Sequence, residues 1–422
     1  MKSSDLAELF TGRQTRYARY LIEVLTVVLL LMTSWFSRWG RWQNRKILDF
    51  DTFYIVAQRV WHGDVERAYY IDQMLRMEMD ASGGPFKPMP WTYPPQFDLL
   101  VAPLALLPVG GAYFLFVAAT LSFYLLILKA ISQSGFTLIS FLLLPSLLIT
   151  LIGGQNGFLT GGLIGLACLT IERRQVVAGL SLGAMVVKPH LAVAFAVYVV
   201  LARRWIALVI AIGVVLSSSI ICTVLLGPGI WSAFFVSVHA SADSLARGGV
   251  YPLYRMVSVY AGLRTAGFPA SLAFLGQVVA AILSLFIIAF VLYRRLPTRW
   301  CVGLAAVTSL LISPYAYDYD LLILGMGIAI LLPEITRRAN AGERITIYSM
   351  MLFAECSGVL QALRVGTLNE NVDLIEHQVA SFGGFAVVGL VLLILRVLLR
   401  DAGPGALCKN EVPAHGAEVG SN

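Results

Sequence analysis

The sequence is poor in charge. Only 13% of its 422 residues are Asp, Glu, Lys or Arg, where soluble domains carry about 25%. That shortage excludes an ordinary water-exposed surface. A chain that is 58% hydrophobic would show water an apolar surface that lipid already solvates. Cysteine is scarce too. Cys168, Cys222, Cys301 and Cys356 lie in apolar runs and Cys408 in the C-terminal tail. None has metal-ligand spacing, so they read as small packing residues. The chain also lacks a P-loop, a Rossmann glycine motif, a zinc pattern and a serine triad. No internal repeat is visible. No convincing cleavage site follows the first apolar run, Tyr20–Phe36, which therefore reads as an uncleaved first span.

What the sequence has is long apolar runs separated by short polar links. They predict an all-α integral membrane protein with about twelve crossings. Arg13, Arg16 and Arg19 precede the first span, and basic pairs recur at alternate turns: Arg173/Arg174, Arg203/Arg204, Arg294/Arg295 and Arg337/Arg338. By the positive-inside rule these turns and both termini are cytoplasmic. The net charge of +7 then reflects orientation rather than binding to nucleic acid. Residues 1–400 form one multi-span domain, with exterior loops at about 37–96, 227–270 and 364–380. The first of these loops is long and carries charges of both signs. The stretch Phe97–Leu107, closed by Pro108, is too short to cross and reads as re-entrant or interfacial. Residues 401–422 are polar and rich in Gly, Ala and Pro, as in a disordered cytoplasmic tail.

The unusual polar residues gather at the exterior turns. Asp49 and Asp51 follow the first span. A carboxylate near an apolar surface can hold a raised pKa and accept a hydroxyl proton, whereas a solvated loop acid does neither. Lys188, in Lys188-Pro189-His190, stands between two apolar runs with no arginine pair beside it. A cation at that depth suits a phosphate at the lipid headgroup level, or is a snorkelling span end. Arg255 is a second candidate for the phosphate. Trp91-Thr92-Tyr93-Pro94-Pro95, Gln155-Asn156 and Tyr315-Ala316-Tyr317-Asp318-Tyr319-Asp320 complete that face. Aromatic rings stack on sugars and carboxylates bond their hydroxyls. Interfacial tyrosines also form belts, and carboxylates also hold Mg²⁺.

These residues, in this order, resemble glycosyltransferase family 87, enzymes of the GT-C fold similar to polyprenol-phosphate-mannose-dependent α-mannosyltransferases. The resemblance runs from about Leu48 to Leu332. It rests on Asp49-Phe50-x-x-Phe53-Tyr54-x-x-Ala57, Trp61-x-Gly63, the run from Tyr93 to Pro108, and Gly154-Gln155-Asn156. It continues through Ala178–Gly183 leading to Lys188-Pro189, Arg203-Arg204-Trp205, and Ser313-Pro314-Tyr315-x-Tyr317-Asp318-Tyr319-Asp320. The resemblance implies a GT-C bundle of about twelve transmembrane helices in a cytoplasmic (inner) membrane. It implies Asp49 as catalytic base, with Asp51 taking that role if the register slips by two. It implies an inverting hexosyltransferase that needs no metal or other cofactor. The donor would be a sugar, by family precedent mannose, on polyprenyl phosphate. The acceptor would be a hydroxyl of a glycolipid or glycan. Lys188, His190 and Arg255 would hold the donor phosphate; Tyr93, Gln155, Asn156, Tyr317, Asp318 and Asp320 would contact substrate. Some relatives carry a His-His motif near the ninth or tenth span. This chain has Tyr and Asp there, so no histidine role carries over: either Asp318 or Asp320 replaces it, or the acceptor differs.

A polytopic transporter is the rival from another class. It predicts binding residues near the midplane and two related halves. A non-catalytic assembly subunit is a third reading, under which loss of Asp49 is harmless.

Overall fold

The computed structural model describes residues 3–38, 47–82, 89–247, 251–367 and 379–400. Among the described residues every regular element is helical, and the strand-like pairing is one isolated antiparallel bridge, Met256 to Tyr317. The tail at 401–422, Cys408 and most of the loop at 364–380 fall outside the described residues.

The chain opens with α1 (Ser3–Phe36). A cap follows, made of α2 (Asp49–His62), a 3-10 turn, and α3 (Ile71–Ser82). Next come α4 (Pro95–Val101), α5 (Val109–Ser132), α6 (Phe136–Leu142), α7 (Leu144–Gly153), α8 (Gly157–Thr170) and α9 (Gln175–Ala184). The middle of the chain holds α10 (Val193–Leu201), α11 (Trp205–Leu226), α12 (Gly229–Arg247) and α13 (Val259–Thr265). It closes with α14 (Ala270–Tyr293), α15 (Thr298–Ile312), α16 (Leu322–Arg338), α17 (Ala341–Thr367) and α18 (Gly383–Leu399).

Among the described residues six helical stretches are long and apolar enough to cross a membrane: Arg16–Phe36, Val109–Leu142, Trp205–Leu226, Ala270–Tyr293, Asp318–Arg338 and Ala341–Arg364. Six more apolar helices are shorter, at 10–17 residues. Together they mark a multi-pass membrane protein. With no water to bond the backbone, each span closes its own N–H and C=O groups as a helix. α16 is buried nearly all round, while α11 is exposed along nearly its whole length. α16 is therefore the central post, and α11 shows its apolar surface to lipid. Small residues let the post pack closely: a Cβ at Gly327 would lie 2.9 Å from the Gly303 carbonyl oxygen on α15, an approach typical of membrane helices.

Prolines set several entries into helices. Pro95 sits in the first turn of α4, and Pro108, Pro269 and Pro297 immediately precede α5, α14 and α15; none of these positions needs the missing N–H. α4 has only seven residues and runs into a 3-10 turn. It is clipped to the cap by Tyr54 Oη donating to the Leu107 carbonyl (2.9 Å) and Trp61 Nε1 to that of Ala102 (2.8 Å). α12 buries Ile230, Ala233, Ser237, Ser241 and Leu245, a spacing of three and four that lines one face. Phe235, Val236 and Val238 are exposed, as on a helix lying at an interface.

The two ends of the bundle differ. α16 begins beside the polar cluster described below and ends at Arg337 and Arg338, about 25 Å away for 17 residues. There Arg338 donates to the carbonyls of Leu398 (3.3 Å) and Arg400 (3.0 Å) and lies over the Trp300 ring. The last carbonyls of α18 thus find a cationic donor.

Within the cap, Glu78 on α3 is fully buried. Its Oε2 accepts the Met89 N–H (3.2 Å), while Oε1 has no partner among the described residues. Burial pushes its carboxyl up from 4.5 to about 8, with the Asp51 charge adding to the rise and the Met89 N–H opposing it. The folded state therefore binds more protons than the unfolded state between these two values. Stability must fall as pH rises through that window. Each pKa unit is worth about 1.4 kcal/mol, so the loss is on the order of 5 kcal/mol. Glu78→Gln is expected to raise the melting temperature by several degrees at pH 8.5 and to change it little at pH 5. Thermal unfolding in detergent at the two pH values checks this.

Candidate active site

α2 begins at the position where an acid is most useful. Leu48 caps it in extended conformation, and Asp51 at the third helical position accepts the Leu48 N–H on Oδ2 (2.8 Å). That bond answers one of the free donors at a helix start. Asp51 is fully buried and does not line the cavity below. Asp49, two residues earlier, does.

α7 ends against it. Gly154 adopts the left-handed conformation (φ 65°) that terminates α7, a state a side chain rarely accepts. A Cβ there would also lie 2.6 Å from Cβ of Phe50. The turn delivers Gln155 beside Asp49, where its side chain works to lower the carboxyl pKa. The Gln155 Oε1 accepts the Asn156 N–H (3.3 Å) and the Tyr93 hydroxyl (3.4 Å), leaving its amide to donate. Burial is the largest influence on Asp49 and raises its pKa. The Asp318 charge adds to the rise; Arg255, Gln155 and Lys188 oppose it. Asp49 is thus a carboxylate made more basic by its surroundings.

Gly153 leaves room for this carboxylate: a Cβ there would sit 3.0 Å from Asp49 Oδ2. Gly153→Ala must push the carboxyl by a few tenths of an ångström. It is expected to lower kcat about tenfold, since reacting geometry is sensitive to displacements under 1 Å. Turnover measured with expression and melting temperature checks it.

The cations come from two breaks in the helical framework. α9 dissolves into 3-10 turns around Lys188, whose Nζ donates to Asp320 Oδ1 at 2.8 Å. The ammonium also lies 4.4 Å from the Tyr319 ring centroid and 6.0 Å from that of Tyr93, close enough for cation–π attraction. Arg255 closes a short 3-10 turn before α13 and grips Asp318 with both arms: Nε to Oδ2 at 2.9 Å and Nη2 to Oδ1 at 3.0 Å. The Val257 N–H donates to the Ala316 carbonyl (2.8 Å), so residues 255–257 lie alongside 315–317 and set that register.

In the Tyr-Asp run the tyrosines face one way and the acids the other. Tyr315, Tyr317 and Tyr319 line the cavity; Asp318 and Asp320 do not. The rings of Tyr317 and Tyr319 stack at 5.3 Å and 12°. Both acids are fully buried counter-ions behind the cations. Asp320 also accepts the Tyr317 N–H (3.1 Å).

The cavity measures about 560 Å³, within the range of small-molecule sites. Asp49, Tyr93, Gln155, Lys188, His190, Arg255 and Tyr317, widely separated in sequence, all line it. Asn156 lies behind it, buried at the start of α8. His190 is held down to about 3 by burial first and by the Lys188 charge second. It is neutral at physiological pH, so it can offer a phosphate a hydrogen bond but no charge.

Sequence reasoning passed over two acids. Asp98 accepts the Trp91 Nε1–H on Oδ1 (2.8 Å) and the Tyr69 hydroxyl on Oδ2 (2.7 Å). It fixes the Trp91–Tyr93 wall, helped by Ser237, which donates to the Trp91 carbonyl (2.6 Å). Glu355 is fully buried in α17. Each is a lone acid in an apolar run, and that was the available signal.

A family model for glycosyltransferase family 87 matches residues 91–314. The chain belongs to glycosyltransferase family 87. It is therefore a membrane glycosyltransferase, acting with a sugar donor and an acceptor. No curated protein and no solved structure matches the chain. The family 87 match spans the Trp91–Tyr93 wall, Gln155, Lys188, His190 and Arg255. Asp49 and the Tyr315–Asp320 run lie outside it, so their place in a family 87 site rests on the geometry above. Among the described residues no three His, Cys, Asp or Glu side chains cluster as metal ligands.

Proposed function

We propose that this protein transfers a hexose, mannose by family precedent, from a polyprenyl-phosphate donor to a hydroxyl of a glycolipid or glycan acceptor, with inversion and with Asp49 as general base. The observation that carries the proposal is a half-buried carboxylate, made more basic by its surroundings, that shares one cavity with two cations. The bundle is a GT-C type assembly of about twelve crossings in a cytoplasmic (inner) membrane. Both termini are cytoplasmic and the cavity opens on the exterior face.

The acceptor hydroxyl gives its proton to Asp49, and its oxygen forms the new bond to the anomeric carbon. The bond from that carbon to the phosphate oxygen breaks, and its electron pair leaves with the polyprenyl phosphate. The donor is a phosphodiester with one negative charge; the leaving phosphate monoester gains a second. Arg255 and Lys188 stand where that charge develops. Phosphate is already a good leaving group, so one base suffices, unlike the carboxylate pair of glycoside hydrolysis. Each cation is already paired with the acid behind it. This favours a single phosphate over a diphosphate. The acids Asp318 and Asp320 are occupied as counter-ions, which supports chemistry without a metal. Tyr317 and Tyr319 offer rings for the sugar, and Phe234, Val238, Pro252 and Pro314 give the cavity an apolar wall suited to lipid-linked substrates.

The test uses purified protein in lipid vesicles, supplied with labelled mannose on polyprenyl phosphate or on a nucleoside diphosphate, with and without EDTA. Transfer from the lipid donor alone, unchanged by EDTA, is the expected result. Transfer from the nucleotide donor, or loss in EDTA, overturns the proposal.

A further inference from the structure

Behind Asp318, on the side away from the cavity, Ser146 of α7 meets Glu355 of α17. The Ser146 Oγ lies 2.9 Å from the Asp318 carbonyl oxygen and also contacts Glu355 Oε2. A serine hydroxyl has one hydrogen to give. A carbonyl oxygen can only accept, and so can an ionised carboxylate. If Ser146 donates to the Asp318 carbonyl, the hydrogen between Ser146 and Glu355 must belong to Glu355. All three groups are buried, where an acceptor left short of a partner is costly.

The same face of α17 presses on the Asp318 side chain. Gly358 lies one turn beyond Glu355, and a Cβ there would sit 2.7 Å from Asp318 Oδ2. An ionised Glu355 would add a further buried anion beside Asp318, where Asp318, Asp320 and Asp49 already face two cations.

We propose that Glu355 is a neutral carboxylic acid and a positioning residue: it donates to Ser146, Ser146 donates to the Asp318 backbone, and the chain fixes the carboxylate that aims Arg255. The kinetic part rests on reading Arg255 as the donor-phosphate ligand; the proton assignment does not. A neutral acid also suits a position in the middle of a membrane-spanning helix, where charge is expensive.

Two measurements test it. The first is the infrared difference spectrum between wild type and Glu355→Gln in lipid. It should show loss of a protonated carboxyl band; loss of a carboxylate band instead overturns the proton assignment whatever the enzyme does. The second is kinetic. Glutamine keeps a donor toward Ser146, so Glu355→Gln should hold the donor KM within about twofold. Glu355→Leu and the milder Ser146→Ala should raise it about tenfold, equivalent to about 1.4 kcal/mol, with kcat changed less. Ser146→Ala decides the matter if the leucine variant does not fold. A glutamine variant as impaired as the leucine one, or an unaffected Ser146→Ala, contradicts the relay. Absence of transfer by wild type would instead count against the proposed function, with the infrared result standing on its own.

Discussion

Asp49→Asn is expected to lower the transfer rate by about 10²–10⁴, the range for removing a positioned general base. Asparagine keeps the shape and can still meet Gln155, but it cannot take the acceptor proton. Donor KM should change little, because the phosphate is held by Arg255 and Lys188. The pH profile carries a second signature. Burial lifts Asp49 above the ordinary carboxylate range, and a base works only when ionised. Wild-type kcat/KM should therefore rise with pH through that lifted value and fall away below it. The residual activity of Asp49→Asn should lack this limb. A limb at the ordinary aspartate value would mean that the base is a solvated acid elsewhere.

Arg255→Lys is expected to lower kcat/KM about 10²-fold, the scale for losing one preorganised donor to developing charge. The substitution keeps the charge but loses the fork. One ammonium cannot hold both oxygens of Asp318, at 2.9 and 3.0 Å, and still face a phosphate in fixed geometry. Arg255→Ala is a poorer probe, because it strands a buried carboxylate at about 3–5 kcal/mol. If lysine supports wild-type rates, the bidentate grip has no part in catalysis. Steady-state kinetics with varied lipid donor, alongside a melting temperature, separates the two cases.

Much of the framework was legible because lipid imposes one rule on every span. Apolar runs such as 206–226 and 271–293 coincide with α11 and α14, and the short run closed by Pro108 is the stub α4. The cavity was half legible. Asp49, Lys188 and Arg255 stood out because an ionisable group in an apolar setting is costly. Their relation to Asp318 and Asp320 could not be read. The pairs Lys188–Asp320 and Arg255–Asp318 are 132 and 63 residues apart, and only packing around α16 brings them together. The two acids were expected to touch substrate, yet they stand behind the cations. Asp51 was open as the base for want of a cap that could be seen. Its bond to the Leu48 N–H is local, but which of two acids two residues apart turns inward depends on where α2 starts.

That difference offers the most direct measurement. Wild type, Asp49→Asn and Asp51→Asn are compared side by side for transfer of labelled sugar from polyprenyl phosphate in the same vesicles. Loss of transfer in Asp49→Asn, with Asp51→Asn keeping most of the wild-type rate at a lowered melting temperature, is the predicted result. Full activity in Asp49→Asn, or loss confined to Asp51→Asn, would contradict the account.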